Sequence, residues 1–211
     1  MRLPFAFAIL CASIGSAALA DGPQDVIDHA TAASPYAPLP GNVYDWSGPY
    51  LGGLAVYGGG NMRYASPDAQ FRIEDDAGFG GFAGYNWQRG QAVFGGELSV
   101  LDFNAVPPAS PGEDFGMLID LKARAGVAAG RTLVYGFLGY SFGGYERPAP
   151  FGNWDVEGPT YGLGADVAVS DNAFVGIEYS RRELDGLVGN GGGQTQAIDL
   201  DLLQLRFGWR F

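Results

Sequence analysis

The stretch that decides the fold is the end of the chain, Leu203-Gln204-Leu205-Arg206-Phe207-Gly208-Trp209-Arg210-Phe211. Apolar residues occupy every second position, which places them on one face of a β-strand and the remaining residues on the other. The apolar face ends in large aromatic side chains, whereas the opposite face carries two arginines, a glutamine and a glycine. This pattern is typical of a membrane barrel with lipid outside and a polar lumen inside. It is also compatible with a soluble β-sandwich that buries the apolar face.

The first 20 residues have the pattern of a secretory signal peptide. Arg2 precedes an apolar run at residues 5–14, and Ala18 and Ala20 form a small-x-small cleavage site. The alternative, a membrane helix, needs about 20 apolar residues, and this run is too short. The only cysteine, Cys11, lies within the signal peptide, so the exported chain is predicted to have neither a disulfide nor a cysteine metal site.

The composition is acidic and rich in glycine. The chain has 23 Asp and Glu against 12 Lys and Arg, with a formal net charge of −11. Cleavage would remove Arg2 and make the exported chain more acidic still. This charge argues against nucleic acid and anionic lipid as electrostatic partners. Glycine accounts for 35 of 211 residues, well above the usual share of about 7%. Short alternating runs that combine glycine with aromatic residues predict an all-β chain.

Eight alternating runs follow Trp46. They are residues 48–57, 79–88, 92–103, 115–128, 133–145, 159–169, 173–183 and 200–211. Each is long enough for a tilted membrane strand, which needs about 9–11 residues. The connections alternate between long and short, as in outer-membrane barrels with short periplasmic turns and long outer loops. The polar segments 68–76, 107–111, 150–156 and 188–194 are therefore predicted to be surface loops.

These patterns predict three segments. Residues 1–20 form the signal peptide, residues 21–45 a disordered, proline-containing periplasmic tail, and residues 46–211 an eight-stranded antiparallel up-and-down transmembrane β-barrel. The predicted location is the bacterial outer membrane. A soluble sandwich would show the same alternation, but the signal peptide, the alternating loop lengths and the terminal Phe favour the barrel. The apolar face of the last strand is the predicted assembly signal and consists of Leu203, Leu205, Phe207, Trp209 and Phe211.

Charged residues recur on the inward face of the predicted strands. Counting along the runs gives Glu97, Asp120, Lys122, Arg124, Asp166, Glu178, Arg182 and Arg206. Eight strands enclose an interior that is just wide enough to be filled by side chains. We therefore expect a paired charge network that plugs the lumen and fixes the register, with Asp120, Lys122 and Arg182 in a layer nearer the outside. Independently solvated charges in a wet pore are the alternative.

Distance from the short turns predicts which inward charges meet. Glu97 and Arg124 lie at similar distances from the turns on neighbouring strands, so they are expected to face each other. The same argument pairs Glu178 with Arg206, with Asp166 close to that second pair. A buried charge is costly unless it is paired, so each of these contacts should matter for stability.

Residues suited to catalysis are scarce. The only histidine, His29, lies in the predicted periplasmic tail, so a Ser-His arrangement at the outer rim is excluded. Residues 74–76 are all acidic and could bind a cation, but charge runs usually stay hydrated. The glycines at 189–193 are not followed by the lysine of a phosphate-binding loop. We predict no enzymatic activity, no cofactor and no metal site.

Aromatic residues gather near both ends of the runs. The set near the short turns is Tyr85, Trp87, Tyr179, Trp209 and Phe211, and the set near the long loops is Phe79, Phe103, Phe115, Tyr140 and Phe142. Two interfacial girdles are the simplest interpretation. A sugar-binding cluster is the alternative.

Five short motifs carry a family resemblance. They are residues 46–53 (Trp-Ser-Gly-Pro-Tyr-Leu-Gly-Gly), 84–88 (Gly-Tyr-Asn-Trp-Gln), 94–97 (Phe-Gly-Gly-Glu), 122–126 (Lys-Ala-Arg-Ala-Gly) and the terminal Arg210-Phe211. In this order and spacing they resemble the small outer-membrane β-barrel family of Gram-negative bacteria, which includes OmpA-like transmembrane barrels and opacity-like surface antigens of the porin type. The resemblance covers residues 46–211.

The resemblance implies an integral outer-membrane protein that is structural, exposed at the surface and non-enzymatic. The expected partners are outer-membrane lipid and lipopolysaccharide, the barrel-assembly machinery, and an unknown surface partner bound through the loops. A narrow pore for small solutes is the alternative function. A lipid-modifying barrel enzyme ranks third because no histidine lies in the barrel.

Overall fold

The computed structural model describes Gly41 and residues 43–65, 68–103, 114–146, 153–187 and 195–211. The predicted signal peptide, His29, most of the predicted tail, and the predicted loops at 107–111 and 188–194 lie outside these residues. The strands in the described ranges are β1 (Gly48–Ala65), β2 (Asp68–Arg89), β3 (Ala92–Asp102), β4 (Asp114–Phe115), β5 (Leu118–Ala129), β6 (Thr132–Glu146), β7 (Trp154–Ala168), β8 (Ala173–Leu187) and β9 (Thr195–Arg210). No helix in these ranges is long and apolar enough to cross a membrane.

The long strands close into a ring. Consecutive long strands pair antiparallel, and β1 pairs with β9 from Tyr50 opposite Arg210 to Tyr64 opposite Gln196. The two-residue strand β4 pairs only with β6, so it lies outside the ring. The described chain therefore forms an eight-stranded antiparallel up-and-down barrel, as the sequence predicts. Ring closure is incompatible with two separate packed sheets, which rules out the alternative β-sandwich.

The two faces of the wall have opposite chemistry. Large apolar side chains point outward, with Leu138 72% exposed and Leu163 64% exposed. Charged side chains point inward, and Glu97 and Arg206 are each only 2% exposed. A soluble protein would put these residues the other way round. An apolar outer wall around a polar interior is the arrangement expected of a barrel in lipid.

Several strands extend further at the end opposite the short turns than the sequence predicts. The prediction that residues 68–76 form a loop was wrong, because β2 begins at Asp68 and pairs with β1 as far as Ala65. The predicted loop at 150–156 was wrong for Trp154–Val156, which belong to β7. The predicted run at 115–128 is interrupted at residues 116–117. Beyond the membrane a strand can expose polar side chains to water, so the apolar alternation that marks a lipid-facing strand is lost there.

The end of the barrel with the short connections, called the turn end below, uses glycine where the backbone reverses. Gly90 and Gly130 have φ angles of 61° and 58°, in the left-handed region that favours glycine. Each belongs to a two-residue connection, between β2 and β3 and between β5 and β6. The opposite end carries the longer connections between β3 and β5, β6 and β7, and β8 and β9, together with the two-residue connection between β1 and β2, and is called the loop end.

The aromatic residues of the outer wall agree only in part with the predicted girdles. Trp87, at the turn end, is 54% exposed, and Phe79, toward the loop end, is 68% exposed. Phe103 was wrongly assigned to the outer wall, because it is fully buried. Tyr179 was assigned to the wrong end. Its hydroxyl donates to Asp201 at 2.6 Å. Counted from the turn end, Asp201 is the first charged residue on the outward face of β9, so the Tyr179 hydroxyl lies at the loop-side edge of the apolar wall.

The final residues of the predicted tail are folded against the barrel. The backbone N–H of Tyr44 donates to the carbonyl oxygen of Gly130 at 2.8 Å. Val43 and Tyr44 also pack against the buried core. The prediction of a disordered tail was therefore wrong for residues 43–45, where aromatic packing and hydrogen bonds to the turns fix the chain.

Candidate functional site

The eight predicted inward charges all lie inside the barrel, and none is more than 5% exposed. They come from five strands. All five, β3, β5, β7, β8 and β9, contribute to a central cluster, and β5 and β8 also form a smaller pair. The central cluster contains three acids and three bases: Glu97, Asp166, Glu178, Lys122, Arg124 and Arg206. The smaller pair is Asp120 and Arg182. Each group has equal numbers of opposite charges, so neither carries a net formal charge.

Glu97 is the hub of the central cluster. Its carboxylate accepts hydrogen bonds from Arg206 at 2.5 and 3.0 Å, from Arg124 at 2.9 Å and from Lys122 at 3.1 Å. The Tyr50 hydroxyl also donates to it, at 3.0 Å. A buried carboxylate with this many donors has its desolvation offset by charge-assisted hydrogen bonds.

Two further carboxylates complete the central cluster. Glu178 accepts from Lys122 and from Arg206, both at 2.7 Å. Asp166 accepts from Arg124 at 2.8 Å and lies 3.7 Å from Nε of Arg206. Each of the three bases therefore contacts at least two acids, and these contacts link strands that are not neighbours in the wall.

A separate pair lies toward the loop end. Arg182 binds both carboxylate oxygens of Asp120, at 3.2 and 2.7 Å. The same carboxylate accepts from the hydroxyls of Ser99 at 3.0 Å and Ser141 at 2.6 Å. The remaining guanidinium nitrogen of Arg182 donates to the Ser180 hydroxyl at 2.7 Å. This bidentate geometry is the strong form of an Arg–carboxylate contact.

The predicted pairings differ from the structure in their register. Glu97 lies opposite Lys122 in the ladder, and Arg124 lies opposite Gly95, so the contact between Glu97 and Arg124 is diagonal. The predicted position of Lys122 in the outer layer was wrong, because its ammonium group bonds to Glu97 and Glu178. Counting from the turns assumes that neighbouring strands start level, whereas strand tilt staggers them around a barrel.

The second predicted pair is also diagonal. Arg206 lies opposite Gly176, and Glu178 lies opposite Gln204. Asp166 was expected close to this pair and lies 3.7 Å from Arg206, but its shorter contact, at 2.8 Å, is to Arg124 of the first pair. The two predicted pairs are thus parts of one network.

Aromatic rings that the sequence analysis did not assign to the lumen surround the cations. The Arg124 guanidinium carbon lies 3.7 Å from the centroid of the Tyr135 ring, and that of Arg206 lies 4.1 Å from the centroid of Phe82. Cations over aromatic faces gain further stabilisation when they are desolvated. Phe82 could have been found from its spacing to other inward positions of β2, but β6, which carries Tyr135, has no inward charge to mark its inner face.

Inward glycines make room for these rings. A Cβ atom on any of them would collide with a neighbouring ring; the pairs are Gly84 with Tyr50, Gly164 with Tyr135, Gly162 with Phe137 and Gly208 with Phe174. Interiors pack closely, so large rings require small partners at the facing positions. This packing explains part of the high glycine content.

Both ends of the charge network are covered by apolar side chains. At the turn end, the rings of Tyr50, Phe82 and Phe174 pack together with Trp46, which is 1% exposed. Toward the loop end, a fully buried apolar layer follows, made by Leu101, Phe103, Leu118, Ile198, Leu200 and Leu202. The network therefore lies between two apolar layers.

The inward charged residues serve ion pairing and packing. Each acid is engaged by cations, and no histidine or cysteine lies in the described ranges. Within those ranges, no group of three or more metal-ligating side chains is suitably placed to hold a metal ion. The arrangement is suited to holding the strands of the wall together from the inside.

A closed eight-stranded ring with an apolar outer wall and a buried ionic interior defines the class of small transmembrane β-barrels. The sequence comparison identifies the family. The family model for the outer membrane protein beta-barrel domain matches residues 29–211, so this chain belongs to that family. It is a protein of the bacterial outer membrane.

Two relatives and one solved structure illustrate the similarity. The 22 kDa outer membrane protein of Rhizobium leguminosarum is 32% identical over 140 residues, which is 64% of this chain and 62% of that protein. The 31 kDa outer-membrane immunogenic protein of Brucella melitensis is 28% identical over 214 residues, covering 84% of this chain and 83% of the relative. The crystal structure of Neisserial surface protein A covers 78% of this chain and 98% of its own, with 14% identity and a TM-score of 0.49.

Proposed function

We propose that this protein is a non-enzymatic, structural component of the outer membrane, with a plugged lumen and with outer hairpins and loops available for contacts at the cell surface. The observation that carries the proposal is the filling of the lumen. The buried ionic network lies between an aromatic layer at the turn end and an apolar layer toward the loop end, all formed by side chains of the wall and of the segment before β1. A charge network of this kind stabilises the closed barrel instead of lining a path.

A narrow pore for small solutes is the competing function. A pore needs a continuous water-filled path, and a barrel of eight strands is just wide enough to be filled by side chains. Fully buried residues such as Leu101, Leu118 and Leu200 cross the loop-side part of the interior. Trp46 and Phe174 occupy the turn end. This packing supports the closed barrel.

The parts of β1, β2, β8 and β9 beyond the loop-end girdle, called the extension below, support a role at the surface. Met62 and Ile73 from β1 and β2, and Leu184 and Ile198 from β8 and β9, are buried to 1% exposure or less. The extension therefore has an apolar core of its own, which gives the projecting strands a defined shape. The name of the Brucella relative, an outer-membrane immunogenic protein, also supports exposure to the outside.

The proposed partners follow from the two surfaces. The apolar wall contacts outer-membrane lipid and lipopolysaccharide, and the last strand is the segment we expect the barrel-assembly machinery to recognise. The loops and extended hairpins are available to a surface partner. The acidic composition argues against nucleic acid as a partner.

Site-specific labelling of intact cells tests the proposed orientation. Single cysteines replace Asp75 or Asp185, which are exposed on the extension, and Arg89 or Asp171, which lie at the turn end. An impermeant maleimide should label the first two positions on intact cells and the other two only after lysis. Labelling of Arg89→Cys or Asp171→Cys on intact cells, with protection at the extension, would invert the topology and refute surface exposure of the hairpins.

A further inference from the structure

The five residues before β1 cross the turn end of the barrel. The N–H of Tyr44 donates to the carbonyl of Gly130 at 2.8 Å, between β5 and β6. The hydroxyl of Tyr44 donates to the carbonyl of Asp171 at 2.5 Å, between β7 and β8. The N–H of Trp46 donates to the side-chain oxygen of Gln88 at 2.6 Å, near the end of β2. Three separate hairpins are thus joined by one short segment.

The same segment is bound to the end of the last strand. Arg210 donates to the carbonyl of Ser47 at 2.8 Å and to the hydroxyl of Tyr44 at 3.3 Å. Its guanidinium carbon lies 5.1 Å from the centroid of the Tyr44 ring, and that of Arg131 lies 5.4 Å from the same centroid. The Trp46 ring packs edge-on against Tyr44, at a centroid distance of 5.0 Å.

We propose that residues 43–47 form a latch that docks only after the barrel has closed and that slows its reopening. Before β1 pairs with β9, these strands are the two edges of an open sheet, and the partners of the latch are spread over the hairpins between them. Tyr44 reaches Gly130, Asp171 and Arg210 together only when the edges meet. Closure therefore creates the docking site.

A latch that docks after closure should change the unfolding rate but not the folding rate. Interactions that form after the transition state slow unfolding and leave the folding rate almost unchanged. Each hydrogen bond of the latch should therefore contribute to the lifetime of the closed barrel. The contact between Ser47 and Arg210 spans the junction of β1 and β9 directly, so the latch reinforces the one junction that has no connecting turn.

Two substitutions on opposite sides of the latch test the proposal. Tyr44→Phe removes the hydroxyl that bonds to Asp171 and Arg210 and keeps the ring. Arg210→Met removes the guanidinium group that donates to Ser47 and Tyr44 across the junction of β1 and β9. Tyr57→Phe is the matched control, because Tyr57 is 56% exposed on the outer wall and its hydroxyl makes no hydrogen bond in the described part of the chain. Folding and unfolding rates are measured in lipid vesicles by stopping the reaction at timed intervals and comparing the gel mobility of unheated samples.

Tyr44→Phe and Arg210→Met should each unfold about fivefold faster or more, the factor expected for loss of a typical hydrogen bond, and should fold within about twofold of the wild-type rate. Tyr57→Phe should match the wild type in both rates. Unchanged unfolding of both latch variants would overturn the proposal. A folding rate slowed by the same factor would also overturn it, because the latch would then form before closure. Failure of either variant to fold would count as that second result, since docking would be needed for the barrel to form.

Discussion

Glu97→Gln should destabilise the barrel strongly. Glu97 accepts five hydrogen bonds, four of them from the cations Arg206, Arg124 and Lys122. Glutamine keeps the shape but removes the charge, so three cations would then face the two remaining acids, Asp166 and Glu178. Removal of one partner from a buried ion pair costs about 3–5 kcal/mol, and we expect a loss of this size in the free energy of unfolding.

Equilibrium unfolding in urea, with the barrel refolded in lipid vesicles and followed by heat-modifiable gel mobility, measures this loss. Glu157→Gln is the matched control, because Glu157 is exposed on the outward face of β7 and makes no ion pair in the described ranges. Surface substitutions of this type change stability by about 0.5 kcal/mol or less. A loss for Glu97→Gln as small as that of the control would refute the reasoning.

The double variant Glu97→Gln/Arg124→Met separates pairing from simple packing loss. It leaves two cations against two acids, so the central cluster is neutral again. Residues in one salt-bridge network show coupling energies of about 0.5–3 kcal/mol. The double variant should therefore be more stable than the sum of the two single losses predicts. Strict additivity would mean that the two side chains act independently.

Three further changes probe other parts of the barrel. Arg182→Met leaves Asp120 buried without its cation and should cost about 3–5 kcal/mol in the free energy of unfolding, whereas an effect below about 1 kcal/mol would contradict the pairing seen at 2.7 Å. Gly164→Ala places a methyl group against the Tyr135 ring and should cost about 1–3 kcal/mol by overpacking; an equal loss in a Tyr135→Leu background would show that the ring is not the cause. Phe211→Ser should lower the yield of heat-modifiable barrel in cell membranes, and a normal yield would exclude the terminal aromatic from the assembly signal.

The barrel architecture could be predicted because its determinants are local in sequence. A period of two fixes which side chains share a face, and short turns at Gly90 and Gly130 fix which strands are neighbours. The inward position of charges such as Glu97 and Arg206 follows from the same parity. These features need no knowledge of the closed ring.

The features that the sequence did not predict depend on closure of the strand ring or on contact with water. The neighbour of Glu97 in the ladder is Lys122, a register set by the stagger of tilted strands around the ring. The outer part of β2 exposes charged residues such as Arg72, Asp75 and Asp76, so it does not keep the apolar alternation of a lipid-facing strand. The docking of Tyr44 against Gly130 and Asp171 is visible only once the turn end has been assembled from distant parts of the chain.

The central claim, that side chains close the lumen, is tested most directly by electrical recording. Purified barrel is folded into lipid vesicles, where heat-modifiable gel mobility verifies folding, and the vesicles are then fused with a planar lipid bilayer. An open porin serves as the positive control. The network around Glu97, covered by Trp46 at one end and by Leu101 at the other, predicts a baseline without stable unitary steps. Large, long-lived, porin-like openings of the wild-type protein would contradict a plugged lumen and establish the pore.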